Sequence, residues 1–281
     1  MIDLHAHSTA SDGELAPAGV VRHAADSGIE TLALTDHDTL GGVAEATSAG
    51  VELGIRVVSG CEFSVAAPWG EMHLLGYFLP AEDAELAEFL EGQRDMRLTR
   101  ARKIVDKLRR LGQTVTLDDV LAESVHGAVG RPHVARALTR RGGVGSVNEA
   151  FLKYLRSGRP AFVPKNLPSI EEVTGIIRRL GGVSSAAHLA SRASSSALLE
   201  LRARGLDAVE ARHPSHDEVT TRRIEKWADA AGLLKTGGTD WHGPTEEPDR
   251  APLGGIVVPE QWLRDVESLH RERMSTTEDG R

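Results

Sequence analysis

The chain has 281 residues, 40% hydrophobic and 26% charged with only 4% aromatic, which describes a globular protein of one large or two ordinary domains around an aliphatic core. A net charge of −8 excludes a non-specific grip on nucleic acid, and Cys61, the single cysteine, excludes an internal disulfide and a thiolate-type zinc site. No apolar run reaches membrane-spanning length, and His5, His7 and Asp12 stand where a signal peptide would be apolar, so the expected location is cytoplasmic, with no membrane partner.

Residues 2–7 read as a strand, and alternation along extended backbone puts His5 and His7 on one face. Asp12 returns shortly afterwards through a small polar loop ending at Gly13. Two imidazoles and a carboxylate suit a divalent ion such as Zn, Mn or Fe. A helix over 17–27, a strand over 31–34 ending in Thr35-Asp36-His37-Asp38, and a helix over 42–53 follow. A strand over 55–59 ends in Gly60-Cys61-Glu62-Phe63-Ser64, and a strand over 72–79 carries His73. This alternation predicts an α/β fold with a parallel sheet.

The alternation breaks at one long helix over 81–111. Short helices are expected from Thr116 (paired with Asp119), over 132–140 and over 147–155. Residues 96–164 therefore read as an inserted helical subdomain, and 1–95 with 165–275 as the α/β body. Ser169 with Glu172 opens a helix to about 180, before a strand over 182–187 that ends at His188. A helix over 194–204, a strand over 206–210, and a helix to 231 opened by Ser215 with Glu218 come next. A strand over 234–236 ends in Gly237-Gly238-Thr239-Asp240-Trp241-His242-Gly243. A helix over about 260–270 precedes a polar end, 275–281, expected to fray.

Nine ligand-type residues fall at or near strand C-termini: His5, His7, Asp12, His37, Glu62, His73, His188, Asp240 and His242. Asp12 sits in the first loop and His73 within its strand. If the strands close into a barrel, all nine converge on one mouth. One catalytic ion takes three or four protein ligands, so two or three divalent ions are implied. Clustered divalent ions suit phosphoryl chemistry.

The runs His5-Ala6-His7-Ser8, Thr35-Asp36-His37-Asp38, Gly60-Cys61-Glu62-Phe63-Ser64 and Gly238-Thr239-Asp240-Trp241-His242-Gly243 resemble the PHP (polymerase and histidinol phosphatase) family over most of the chain. The resemblance implies a distorted, TIM-like (β/α)7 barrel with a trinuclear centre of Mn, Fe or Zn. Carried over, one ion would take His5, His7, Glu62 and Asp240, and a second Asp12, His37 and His242. A third would take His73, His188 and Glu62 as a bridge. Gly130-Arg131-Pro132-His133 in the insertion, and Pro214-Ser215-His216 after the sixth strand, resemble the branch of nucleoside 3′,5′-bisphosphate phosphatases and 5′→3′ exoribonucleases. That branch implies attack of a metal-bridging hydroxide on phosphorus in a small nucleotide or a short 5′-phosphorylated oligonucleotide, without stable duplex binding.

Under this resemblance Arg131, His133 and His216 are phosphate-binding or proton-donating groups, and Ser215 is substrate-binding with them. Arg131 would position the substrate's other phosphate, and His216 or a water on the metal would protonate the departing ribose oxygen. Two positions depart from the branch: Leu189 follows His188 where proline is usual, and Arg212-His213 stands where small or aromatic residues are common.

Beside the resemblance, a helix N-terminus carrying Arg131 suits a phosphate, Lys165 could reach back to the mouth, and Arg192 lies where a loop could cover it. Ser64 and Thr239 are expected to hydrogen-bond to ligands, Asp36 and Asp38 to orient or turn their loop, and Cys61 to be a small buried residue. His23, His126 and His270 are expected to face solvent. So is the arginine-rich helix bearing Arg94, Arg97, Arg100, Arg102 and Arg109, whose cations interleave with acids.

Three rivals use the same features. An amidohydrolase-type deaminase also starts with His-x-His, but its bridge is usually a modified lysine where this chain has Glu62. A histidinol-phosphate-type phosphatase differs in its alcohol. A non-catalytic PHP binding module often loses ligands, whereas all nine are present here.

Overall fold

The computed structural model describes residues 1–124, 128–244 and 251–279, with side chains up to 276. His126 lies outside the described residues. Seven strands form one sheet in sequence order: β1 (Ile2–Ala6), β2 (Thr31–Leu34), β3 (Arg56–Ala67), β4 (Gly70–Tyr77), β5 (Val183–Ala186), β6 (Ala208–Arg212) and β7 (Leu234–Gly237). Just beyond β7, Trp241 bridges to Ala6, and His7 N–H donates to Trp241 O at 2.8 Å. The sheet is thus a nearly closed barrel. Closure needs glycine at 238, where a Cβ would stand 2.5 Å from His5 N.

Helices α1 (Pro17–Asp26), α2 (Val43–Leu53), α7 (Ile170–Arg179), α8 (Ser195–Ala203), α9 (Glu218–Ala231) and α10 (Glu260–Asp279) accompany the sheet. In α7, Ser169 caps the N-terminus by accepting Glu172 N–H at 3.1 Å, and Ile170, Val173, Ile176 and Ile177 form the buried stripe. Between β4 and α7 lie α3 (Ala84–Arg110), α4 (Leu117–Glu123), α5 (Arg131–Arg140) and α6 (Val147–Ala150). Leu86 and Leu90 of α3 join the barrel core, while Ile104 and Leu108 pack with Val115, Val134, Leu138 and Leu155 in a second cluster. The boundary expected at 96 therefore falls inside one continuous helix.

Several expectations are corrected. The sheet is not wholly parallel: β4 runs antiparallel to both β3 and β5. β3 does not stop at Ser59, so Glu62 lies inside a strand. The helix expected over 147–155 becomes a π-turn over Phe151–Leu155. Asp217, not Ser215, caps α9, accepting Thr220 N–H at 2.7 Å. The chain does not fray at 275, because α10 continues to Asp279. Among the described residues no helix is long and apolar enough to cross a membrane.

Inside the last helix Arg273 pairs with buried Asp207, which also accepts Ser184 N–H at 3.0 Å. Arg273→Ala strands that carboxylate, and with the Ser184 bonds retained the expected cost is about 3 kcal/mol, a fall in Tm of roughly 6–12 °C by thermal denaturation.

Candidate metal centre

β1 delivers His5, and His7 just beyond its end, to the barrel interior, both fully buried. Their Nε2 atoms stand 3.1 Å apart, too close for two imidazolium protons, and both face the same carboxylates. Asp240 Oδ1 lies 3.2 Å from His5 Nε2 and 3.1 Å from His7 Nε2, and Glu62 Oε2 lies 3.5 and 3.2 Å from them. Donors about 2.0–2.1 Å from one tetrahedral ion are separated by roughly 3.3–3.4 Å. The edges here, 3.1–3.5 Å, fit that shell. A second group, His7, Asp12, His37 and His242, and a third, His37, Glu62 and His73, each bring their ligand atoms within 4.8 Å of one another.

Glu62 connects the groups. Its Oε2 faces His5, His7 and His37, while Oε1 lies 2.8 Å from His73 Nδ1 and 2.9 Å from His188 Nε2. His37 Nδ1 and His73 Nδ1 are buried and face Glu62 without forming a hydrogen bond, which fits ligand atoms. His73 reaches this mouth because β4 is reversed: its early residues lie beside the later residues of β3, and Ser64 pairs with His73. His188 and Asp240 take left-handed backbone, φ 51° and 52°, a conformation costly for residues other than glycine.

Outer residues fix the donor atoms. His5 Nδ1 lies 3.0 Å from Glu210 Oε1, and His242 Nδ1 donates to Asp240 O at 2.8 Å, so Nε2 faces inward in both rings. Asp36 accepts from Ser8 N, Ser8 Oγ and Ser11 Oγ, pinning the loop that carries Asp12. Asp3 accepts from Thr239 N and Oγ, pinning the loop that carries Asp240. Thr239 thus acts on Asp3 rather than on a ligand, and Ser64 bonds Arg97 and Lys165. Glu210 and Asp3 escaped the sequence reading; each is a lone acid in an apolar strand, which is the signal that marks it.

Burial opposes charge on His7, but hydrogen bonds to Asp240 and Glu62 outweigh it and hold the imidazole up at about 10. His73 is likewise held at about 9 against burial, by Glu62 and Glu71. Burial pushes the Asp12 and Asp240 carboxyls upward, yet the surrounding imidazoles leave both well below the carboxylate range.

The expected substrate residues divide. Arg131 and Arg192 line a cleft of about 230 Å³ with Glu71, His73 and His188. Lys165 bonds Ser64 Oγ at 2.9 Å and pairs with Glu71; burial and Arg97 lower its pKa to about 8. His133 and His216 are each already engaged by the protein. His133 is buried, accepts Gly130 N–H on Nδ1 at 2.9 Å and touches the Ser11 backbone, so it ties α5 to the first loop. His216 accepts Ala190 N–H on Nε2 and donates from Nδ1 to Ala211 O, both at 3.1 Å, which occupies both nitrogens. Ser215 is exposed and bonds His213.

Other side chains differ from expectation. Arg97 and Arg100 are buried rather than solvated: Arg97 pairs with Asp38, and Arg100 donates to Val163 O at 2.8 Å. With Lys165 they line a cavity of about 330 Å³ beside Ser64. His23 stacks on Trp241, and His270 stacks on Phe78, so neither is a free surface group.

Glu210→Gln keeps the shape but removes the charge behind His5. Metal affinity should fall about 10–100-fold by competition with a chelator, with the fold retained.

A family model described as PHP domain matches residues 3–140. A 3′,5′-nucleoside bisphosphate phosphatase from Chromobacterium violaceum is 34% identical, covering 87% of this chain and 88% of its own length. A 5′-3′ exoribonuclease from Haemophilus influenzae is 32% identical, covering 86% and 90%. Among solved structures, one described as a metal-dependent phosphoesterase from Bifidobacterium adolescentis superposes with a TM-score of 0.87 at 30% identity, covering 95% and 96%. An amidohydrolase from Chromobacterium violaceum with bound sulfate gives 0.84 at 31%, with the same coverage.

Proposed function

Because this chain belongs to the PHP domain family, we propose that it is a metal-dependent phosphoesterase acting on nucleoside 3′,5′-bisphosphates and short 5′-phosphorylated oligonucleotides. We assign His5, His7, Asp12, His37, Glu62, His73, His188, Asp240 and His242 as ligands of two or three divalent ions, Mn, Fe or Zn. The observation that carries this reading is a cluster of imidazoles and carboxylates with cations beside it. Arg131 and Arg192 line a cleft with His73 and His188, and Arg97, Arg100 and Lys165 line an adjoining cavity beside Ser64. A substrate with a second phosphate uses such neighbouring cations; a lone phosphomonoester uses the cluster alone.

Bound divalent ions supply Lewis acidity toward the phosphoryl oxygens and acidify a water nucleophile. The chain's own residues do the rest. Arg131, on the first turn of α5, offers a forked guanidinium to the phosphate that is not cleaved. Arg97 is held by Asp38 and Ser64, and Lys165 by Ser64 and Glu71, so both cations are in place before substrate arrives. His133 and His216 orient the walls. The helical segment 96–164 brings the arginines to the mouth and serves as a cap.

Glu62 in the bridging position favours phosphoester over C–N hydrolysis, although one structural neighbour is an amidohydrolase. The test is turnover with added Mn²⁺ of adenosine 3′,5′-bisphosphate, a short 5′-phosphorylated RNA and histidinol phosphate, with a chelator control. Turnover of the first two supports the reading. Turnover of histidinol phosphate alone overturns the substrate class, and none at all with metal bound makes the chain a binding module.

A further inference from the structure

The loop after β6 holds a histidine that the proposed chemistry has not used. His213 Nδ1 accepts Ser215 N–H at 3.0 Å, with Ser215 Oγ at 2.8 Å. A ring nitrogen that accepts a backbone N–H has no proton of its own, so in the neutral ring the proton sits on Nε2. That Nε2 is buried and makes no hydrogen bond. A buried donor left unmatched is costly, and such atoms are rare enough to call for a partner.

Three partners can be weighed. A metal ion cannot be one, because Nε2 would have to be a bare lone pair while Nδ1 already accepts. Substrate cannot be one without movement, because the atom is closed to solvent. The third is Asp240, whose two oxygens divide the work. Oδ1 faces His5, His7 and His242 at 3.2, 3.1 and 3.6 Å, and Oδ2 faces His213 Nε2 at 3.6 Å. Closing that last gap to a hydrogen bond of about 2.9 Å takes a movement of roughly 0.7 Å. A turn of the Asp240 carboxylate would close it.

We propose that His213 is a positioning residue for the metal centre: it donates from Nε2 to Asp240 Oδ2 and presents Oδ1 alone to the ion. The proposal rests on the metal-centre reading above. The loop makes the device rigid. His216, three residues on, is tied at both nitrogens, and Asp217 caps α9, so the imidazole is held between a strand end and a helix start.

The test compares wild type with H213L, which removes the donor, and H213Q, whose amide can restore one. Mn²⁺ affinity is measured on chelator-stripped protein by competition with a fluorescent chelator, alongside the metal-free Tm. H213L should bind Mn²⁺ about 10–100-fold more weakly, with H213Q returning to within a few fold of wild type. A purely structural role would lower the metal-free Tm of H213L and leave affinity unchanged, which overturns the proposal. Should H213L fail to fold, nitrogen-15 spectra of wild-type histidines decide. A His213 ring protonated on Nε2 supports the proposal, and one protonated only on Nδ1 overturns it. Wild-type protein that takes up no Mn²⁺ overturns the metal-centre reading, and this proposal with it; unchanged affinity in H213L overturns this proposal alone.

Discussion

Glu62→Gln is expected to cut phosphoester turnover by at least about a thousandfold, the equivalent of about 4 kcal/mol of lost transition-state stabilisation. The carboxylate is buried, and its oxygens serve five imidazoles, Oε2 toward His5, His7 and His37 and Oε1 toward His73 and His188. A glutamine keeps the volume but offers one acceptor oxygen, and its NH₂ group points hydrogens at ring nitrogens that must face an ion. Lost charge and lost bridging therefore act together, and metal content should fall with activity. Turnover, elemental analysis and far-UV circular dichroism on the same preparation check this. Near-wild-type turnover in a folded variant would move the chemistry away from this cluster.

The second large effect is a coupling between metal, protons and stability. In the metal-free chain, carboxylates overcome burial and hold His7 at about 10 and His73 at about 9. Both rings are therefore protonated near pH 7.5, whereas a ligand imidazole must be neutral. Adding Mn²⁺ to stripped protein should release protons, read as a calorimetric enthalpy that changes with the buffer's ionisation enthalpy. Affinity should rise with pH. The sign for stability follows from the same shifts. A group whose pKa is raised on folding stabilises the chain fully below its unfolded value near 6.5, and that contribution is lost as pH rises through 9 to 10. The stripped protein should lose Tm over that window and the loaded protein should lose less. At a hundredfold excess over Kd, one site adds about 2.7 kcal/mol, or roughly 5–10 °C. A pH-independent enthalpy with no buffer dependence would contradict the protonated starting state.

Much of the centre was legible because barrel geometry turns a linear spacing into a spatial one. His5 and His7, His37, Glu62, His188, Asp240 and His242 each follow or end an apolar run, and the structure gathers them at one mouth. What escaped was whatever depends on a partner distant in sequence. The direction of β4 is not written in its own residues, since an alternating strand reads the same either way. Arg97 and Arg100 sit in a polar helix whose exposed look is reversed when Asp38 and the Val163 carbonyl pack over it. Glu210 is an acid in a short strand until His5 is seen behind it. The histidines of the 213–216 loop illustrate a further limit: residue type suggests proton transfer, but only the hydrogen bonds reveal which nitrogens are already engaged.

The reversal of β4 also bears on the order in which the site can come into being. Glu62 and His73 belong to one hairpin, β3 and β4, closed by a short turn, so their approach needs little loop entropy and can precede the rest of the barrel. His5 and His7 meet Asp240 only after the β1 edge finds the segment beyond β7, at the other end of the fold. A chain emerging from the ribosome therefore presents a weak two-residue foothold for an ion long before it offers a complete cage. On the proposed assignment, the cage is complete only once the last strand is in place, so the finished barrel, and not the nascent chain, would hold the ions.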